Sequence, residues 1–266
     1  MSDSVLYEVS DGLATITLNR PDAMNALNVE TKVALREAVR GAAADPQVRA
    51  VLLTGTGRAF CVGQDLKEHV GLLMEDRKSG TGGTMSTVRE HYNPIVTALA
   101  TMPKPVVAGI NGVAAGAGAG LAFASDYRVV ADTASFNTSF AGVALTADSG
   151  ASWTLPRLIG HGRAADLLLF PRKVTAQEAL ELGIANKVVP AAELAAEALK
   201  VARSLAAGPT VAYAAIKASL AYGTDHSLLE TLEKEDELQT VAGASEDHRI
   251  AVEAFLKKEP PRYLGR

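Results

Sequence analysis

Three stretches of this 266-residue chain carry residue types and spacings that could do chemistry. The first is Cys61-Val62-Gly63-Gln64-Asp65, a glycine turn after a buried apolar run. The second is Gly116-Ala117-Gly118-Ala119-Gly120, in which every other residue is glycine. The third is Asp148, set in Thr146-Ala147-Asp148-Ser149-Gly150. Both glycine turns offer backbone N–H groups with no side chain in the way. A helix that starts on such a turn lets a ligand oxygen approach and feel the positive end of the helix dipole. Two donors of this kind, converging about 2.7–3.1 Å from a developing negative charge, make an oxyanion hole. Sequence spacing alone does not establish that these two converge. Asp148 stands among small residues just before an apolar helix start containing Trp153. A poorly solvated carboxylate has a raised pKa, which suits acid-base work. The ordinary alternative for an aspartate in this position is a helix N-cap.

The elements that would position these groups can be read around them. Lys104 to Asp126, KPVVAGINGVAAGAGAGLAFASD, has no charge between its ends. Val106–Ile110 reads as a buried strand, Asn111-Gly112 as a turn, and the glycines lead through Leu121 to Ala124 into a buried helix. A bilayer span is a poor reading, because glycine and alanine contribute little transfer energy and the turn would sit at mid-membrane. A dinucleotide fingerprint fails because the sixth position from Gly116 is Leu121. Glycines that serve only close helix packing remain an open alternative.

In chain order, Val5–Ser10 and Leu13–Leu18 alternate around Asp11-Gly12 as a β-hairpin. A helix capped by Asn28 runs to about Ala44, with Val29, Val33, Leu35, Ala38 and Val39 as its apolar stripe. Val48–Thr54 reads as a buried strand, ended by Gly55 and Gly57. Gly71–Thr84 holds four glycines and a charge cluster without periodicity, so a mobile loop is expected there, able to cover a site. Ser86–Thr101 is helical, Tyr127–Ala131 and Ala134–Phe140 are short strands, and a helix with Trp153 and Leu155 follows Asp148. Thr175 caps Ala176–Leu182, Gly183 stops that helix, and Val188-Val189 is a last strand. The helices Ala191–Ala207, Thr210–Tyr222, Ser227–Val241 and Ser245–Lys258 complete the chain. Their alanine- and leucine-rich faces must pack on the first part or on another subunit. The first half repeats a strand-strand-helix rhythm loosely, without a solenoid period.

With 48% hydrophobic residues the chain can bury a sizeable core. A formal net charge of -4 argues against nucleic acid or an anionic membrane as the main partner. The single cysteine, Cys61, excludes internal disulfides and cysteine-rich metal sites, which fits a reducing cytoplasm. MSDSVLYEVS has no basic stretch followed by an apolar one, so no secretory signal is expected, and a cytoplasmic location is. The five histidines, His69, His91, His161, His226 and His248, lack metal-ligand spacing, and no serine stands in a Gly-x-Ser-x-Gly elbow.

Several motifs, in order, resemble the enoyl-CoA hydratase/isomerase (crotonase) superfamily over essentially the whole chain. They are Asn19-Arg20-Pro21 with Met24-Asn25-Ala26-Leu27, then Gly57-Arg58-Ala59-Phe60-Cys61-Val62-Gly63-Gln64-Asp65-Leu66, then Lys104-Pro105-Val106 through Asn111-Gly112 to Gly116-Ala117-Gly118. The resemblance implies an α/β fold, a spiral of strand-strand-helix turns over residues 1–200, closed by a helical region at 201–266 that builds a homotrimer or a dimer of trimers. It implies an oxyanion hole of the Gln64 and Ala117 backbone N–H groups on the thioester carbonyl of an acyl-CoA, the side chains there being incidental. It further implies acyl-CoA contacts from Ala23, Met24, Val62, Asp65, Leu66, Lys67 and Phe140, and from Phe255 and Lys258 toward a neighbouring subunit's CoA. No metal and no separate cofactor is implied, since coenzyme A enters as part of the substrate.

The departures are informative. Family hydratases position water with two glutamates, and here Gly120 and Phe140 take those places. The run from Asp148 through Trp153 to Leu155-Pro156-Arg157, with Tyr92-Asn93-Pro94, resembles the branch that includes 1,2-epoxyphenylacetyl-CoA isomerase. An isomerase with Asp148 as single acid and base is therefore expected. The alternatives are a hydratase in which Asp148 holds water, an aryl-CoA dehalogenase-type hydrolase with Asp148 as nucleophile and His91 as base, and an acyl-CoA-binding protein without turnover.

Overall fold

The computed structural model describes residues 3–80 and 83–266. β1 (Val5–Ser10) and β2 (Leu13–Leu18) form the expected hairpin, from Val5 opposite Leu18 to Ser10 opposite Leu13. Asp11 at φ +51° and Gly12 at φ +77° make its two-residue turn. α1 (Val29–Ala44) begins where expected, with the Asn28 side chain accepting from Thr31 N–H at 2.9 Å. Its buried face differs from the expected stripe: Thr31, Lys32, Leu35, Val39 and Ala42 point inward, while Val29 is exposed.

One unit then repeats, a strand of a large sheet, a strand of a small sheet, and a helix. β3 (Ala50–Gly55), β4 (Ala59–Cys61) and α2 (Leu66–Ser79) form the first circuit. A π-helical turn at Val88–Tyr92 and α3 (Asn93–Thr101) lead to β5 (Val106–Ile110), β6 (Val113–Ala115) and α4 (Ala117–Phe123). β7 (Tyr127–Ala131), β8 (Ser135–Asn137) and α5 (Ala151–Ile159) make the third. The large sheet has the order β1-β2-β3-β5-β7 and ends on β10 (Lys187–Val189). The small sheet has the order β4-β6-β8 and ends on β9 (Val174–Thr175). From β2 to β10, and from β4 to β8, neighbours run parallel. Each circuit advances both sheets by one strand, which is a spiral.

Two expectations fail for local reasons. Gly71–Thr84 is not a loop: residues 71–79 continue α2, which Asp65 caps and Gly80 ends at φ +71°. Thr84 then donates its N–H back to Asp76. Thr81 and Gly82 of the expected loop lie outside the described residues. α2 buries none of its side chains, so no apolar stripe marks it in the sequence. The expected strand Ala134–Phe140 is pairing-competent only at Ser135–Asn137, because Ser139 turns the chain at φ +59°.

α6 (His161–Leu169) packs against α5, and α7 (Ala176–Leu182) has the expected Thr175 cap and Gly183 stop. α8 (Leu194–Ala206) lies across β3, β5 and β7, so the expected division at residue 200 falls inside a helix that belongs to the sheet's own core. α9 (Thr210–Tyr222) pairs with α10 (Leu228–Gly243), and α11 (Glu246–Lys257) leans on α10. The buried Asp247 carboxylate holds the C-terminus by accepting from the Leu264 and Gly265 N–H groups. Among the described residues, no helix is long and apolar enough to cross a membrane.

Candidate functional site

β4 and β6 are parallel neighbours, with Ala59 opposite Val113 and Cys61 opposite Ala114. The turns that follow them therefore leave the small sheet side by side, at the carboxyl ends of its strands, where parallel sheets place ligands. Their approach is tight. A Cβ on Gly63 would stand 2.8 Å from the Ala115 carbonyl oxygen and 3.2 Å from the Ala117 nitrogen, and one on Gly118 only 2.1 Å from the Cys61 oxygen. Gly118 and Gly120 thus serve close packing, whereas Gly116 has open space and is needed for its φ of +51°.

The turn after β4 is also clamped from the other side. Val62 N–H donates to Met24 O, Leu27 N–H to Gly63 O, and Asp65 N–H to Leu27 O. This ladder skips the Gln64 N–H, and the Ala117 N–H opens α4; neither donates to an acceptor among the described residues. The Met24–Leu27 segment is itself fixed by Asn25, fully buried at φ +57°, whose side chain donates to Thr56 O and Ala59 O and accepts from Arg20 N–H. Arg20 pairs with Asp65 at 3.0 Å. Burial raises the Asp65 carboxyl, but the Arg20 bond, the Glu68 and Lys67 N–H groups and the Arg20 charge outweigh it and hold it below the usual carboxylate range.

Asp148 is not the N-cap of α5. That position is Gly150, and only the Asp148 carbonyl enters the turn, accepting from Ala151 N–H at 2.9 Å. The carboxylate accepts from the Ser149 hydroxyl at 2.8 Å, its one hydrogen bond among the described residues. Burial raises the Asp148 pKa, tempered by that hydroxyl. Trp153 is itself 46% exposed, with Arg157 across its ring. The backbone of Ser149, held at φ +50°, covers Gly120: a Cβ there would lie 2.6 Å from Ser149 O and 2.7 Å from Ser149 Cβ. Gly120 follows Ala117 by one turn of α4, a rise of about 4.5 Å. The Asp148 segment therefore sits one helical turn from the second backbone donor.

Tyr92 joins the two halves. Its buried hydroxyl donates to Gln64 Oε1, and burial together with the charges of Asp148, Cys61 and Glu68 pushes its pKa up. The Gln64 side chain is therefore not incidental. It accepts from both Tyr92 and Lys32, the latter at 3.2 Å. Lys32 is a residue that the sequence reading misses, although it precedes Leu35, Val39 and Ala42 at helical spacing on the buried face of α1.

The remaining expected contacts divide. Ala23, Met24 and Val62 lie half-buried along the clamp, and Phe140 is buried. Leu66 and Lys67 are exposed on the first turn of α2, and Asp65 is engaged by Arg20 and the α2 N-terminus. Phe255 and Lys258 are exposed at the end of α11, whose packing partner is α10. His91 Nδ1 is engaged with the Thr87 hydroxyl at 3.2 Å. No cluster of metal-ligating side chains occurs among the described residues.

The enoyl-CoA hydratase/isomerase family model matches residues 8–266. A Rhodobacter capsulatus protein named "probable enoyl-CoA hydratase" is 41% identical over 99% of this chain and 98% of its own. The 1,2-epoxyphenylacetyl-CoA isomerase of Escherichia coli is 38% identical over the full length of both. A crystal structure of a Mycobacterium abscessus protein assigned to the same hydratase/isomerase family superposes with a TM-score of 0.94, at 44% identity over 98% of this chain and all of that one. With the spiral of two largely parallel sheets and the paired glycine turns in place along that whole length, the chain belongs to the enoyl-CoA hydratase/isomerase family and has the crotonase fold.

Proposed function

We propose that this enzyme is an acyl-CoA isomerase in which Asp148 is the single acid and base. The family acts on acyl-CoA thioesters; relatives named for hydratase and for isomerase activity are similarly close, so the choice rests on the site. The thioester carbonyl accepts from the Gln64 and Ala117 N–H groups. The Asp148 carboxylate removes a proton from C2 of a 3-enoyl thioester, and the electron pair moves onto the carbonyl oxygen as an enolate held by those donors. The Asp148 carboxylic acid then returns the proton to C4, the double bond closes between C2 and C3, and Asp148 is a carboxylate again. A ring epoxide next to the thioester would rearrange through the same stabilised enolate. Ala23, Met24, Val62, Leu66 and Lys67 line the path to the CoA, Phe140 the acyl end, and Phe255 and Lys258 reach a neighbouring subunit's CoA in a homotrimer or pair of trimers.

One observation carries the choice of isomerase over hydratase. The Ser149 backbone fills the space that a side chain at Gly120 would need, so the carboxylate of a two-glutamate hydratase has no room there. Phe140 is likewise a buried, non-titrating residue. The Asp148→Asn variant tests the reading. Turnover of 3-enoyl-CoA should fall by about 10²–10⁴-fold, the usual contribution of a positioned acid-base group, with CoA-ester binding retained. Near-normal turnover would refute the assignment.

A further inference from the structure

Lys32 is the least expected residue in the core. Its side chain is completely buried on α1, and no carboxylate contacts it among the described residues. Its ammonium donates to Thr87 Oγ1 at 2.7 Å and to Gln64 Oε1 at 3.2 Å, and stands 5.5 Å from the centre of the Tyr92 ring. Thr87 is tied in turn to His91. Burying an ammonium costs free energy unless something compensates, so a lysine in this position needs a reason beyond packing.

The partner it shares with Tyr92 indicates that reason. A single atom, Gln64 Oε1, receives one donor from α1 and one from the π-helical turn before α3. Gln64 follows Gly63, whose φ of +86° leaves the peptide between them without steric bias from its own Cβ. The direction of the Gln64 N–H must therefore be set by other contacts. The Leu27 N–H, donating to Gly63 O, orients the peptide that carries the Gln64 N–H, and the Asp65 N–H holds the next one; the two donors on Oε1 add a second restraint by fixing the side chain.

The geometry points to Lys32 and Tyr92 as positioning residues for the backbone donor at Gln64, holding its N–H on the thioester oxygen and adding a buried positive charge behind it. This rests on the proposed role of the Gln64 N–H, but not on Asp148 or on the reaction it performs. Lys32 burial lowers its pKa, and the fields of Glu68 and Asp65 oppose that. The ammonium acts through Gln64 and has no contact with the substrate.

The test reads carbonyl polarisation directly. Cinnamoyl-CoA, whose absorbance moves to longer wavelength as its thioester carbonyl is polarised, is titrated into the parent enzyme and the Lys32→Met, Tyr92→Phe and Asp148→Asn variants. The parent and Asp148→Asn should show the same red shift. Tyr92→Phe should show a smaller shift, and Lys32→Met the smallest, with Kd changed less than about threefold and kcat for 3-enoyl-CoA lowered by about tenfold or more, short of the 10²–10³ for removing a hole donor outright. Full red shift and parental kcat in Lys32→Met would overturn the inference. If Lys32→Met does not fold, Tyr92→Phe decides: an undiminished shift there overturns it. Failure of the isomerase reading would show separately, as no turnover by a parent enzyme that still polarises the probe.

Discussion

At the scale of single residues, the central feature is a carboxylate that gains almost nothing from its surroundings. Asp148 has the Ser149 hydroxyl and otherwise burial, which raises its pKa. As the proposed base it must be ionised, so kcat/KM should fall on the acid side as Asp148 protonates, at a pH above that of an ordinary carboxylate. Ser149→Ala removes the one group that favours the ionised form. It should move that acid limb to higher pH, and an unmoved limb would remove Ser149 from the account. The same burial sets a stability sign. A carboxylate with a folded pKa above its unfolded one contributes stability only when protonated, present at low pH and lost as pH rises through the folded value. Asp148→Asn should therefore be at least as heat-stable as the parent at neutral pH, so its inactivity will not reflect unfolding. Much of this was readable beforehand: Asp148 stood out by its small neighbours, and Gln64 by its glycine turn. Lys32 did not, because a lysine in an amphipathic helix reads as solvent-facing until its spacing from Leu35 and Val39 is weighed.

At the scale of elements, the two sheets determine which turns meet. The hairpin was legible because alternation and Asp11-Gly12 are local signals. The convergence of the Gly63 and Gly116 turns was not, because it depends on β4 pairing with β6 across some fifty residues of chain. β6 itself went unread, being three residues between two glycines, and α2 went unread for want of a buried face. The packing of α4 on the Asp148 segment can be tested by a matched pair of glycines. Gly120→Ala would place its Cβ against Ser149 and should cost about 1–3 kcal/mol by overpacking. Gly41→Ala, on α1 with nothing within 4 Å, should be neutral or stabilising by up to about 1 kcal/mol. Urea unfolding of both variants reads the difference, and equal stabilities would mean that the Gly120 contact relaxes at no cost.

At the scale of the molecule, α9, α10 and α11 leave large apolar side chains in solvent, among them Leu220 at 70%, Leu228 at 72% and Phe255 at 82% exposure. Large apolar side chains concentrated on three consecutive helices fit the proposed contact between subunits. Light scattering at micromolar concentration should therefore give the mass of three or six chains, and a monomer would contradict the proposed assembly. In the proposed reaction the spiral core supplies two backbone donors from the adjacent turns after β4 and β6, and one carboxylate whose pKa burial raises. The most direct test of that arrangement is mass spectrometry of 3-enoyl-CoA and 2-enoyl-CoA incubated with the enzyme in deuterated water. One-base isomerisation predicts interconversion of the two esters with no water added, deuterium entering the acyl chain only as far as the Asp148 carboxyl exchanges its proton with solvent before returning it, and neither change with Asp148→Asn. Addition of water to the 2-enoyl ester would contradict it, and would make Asp148 the water-holding residue of a hydratase that works without its glutamates.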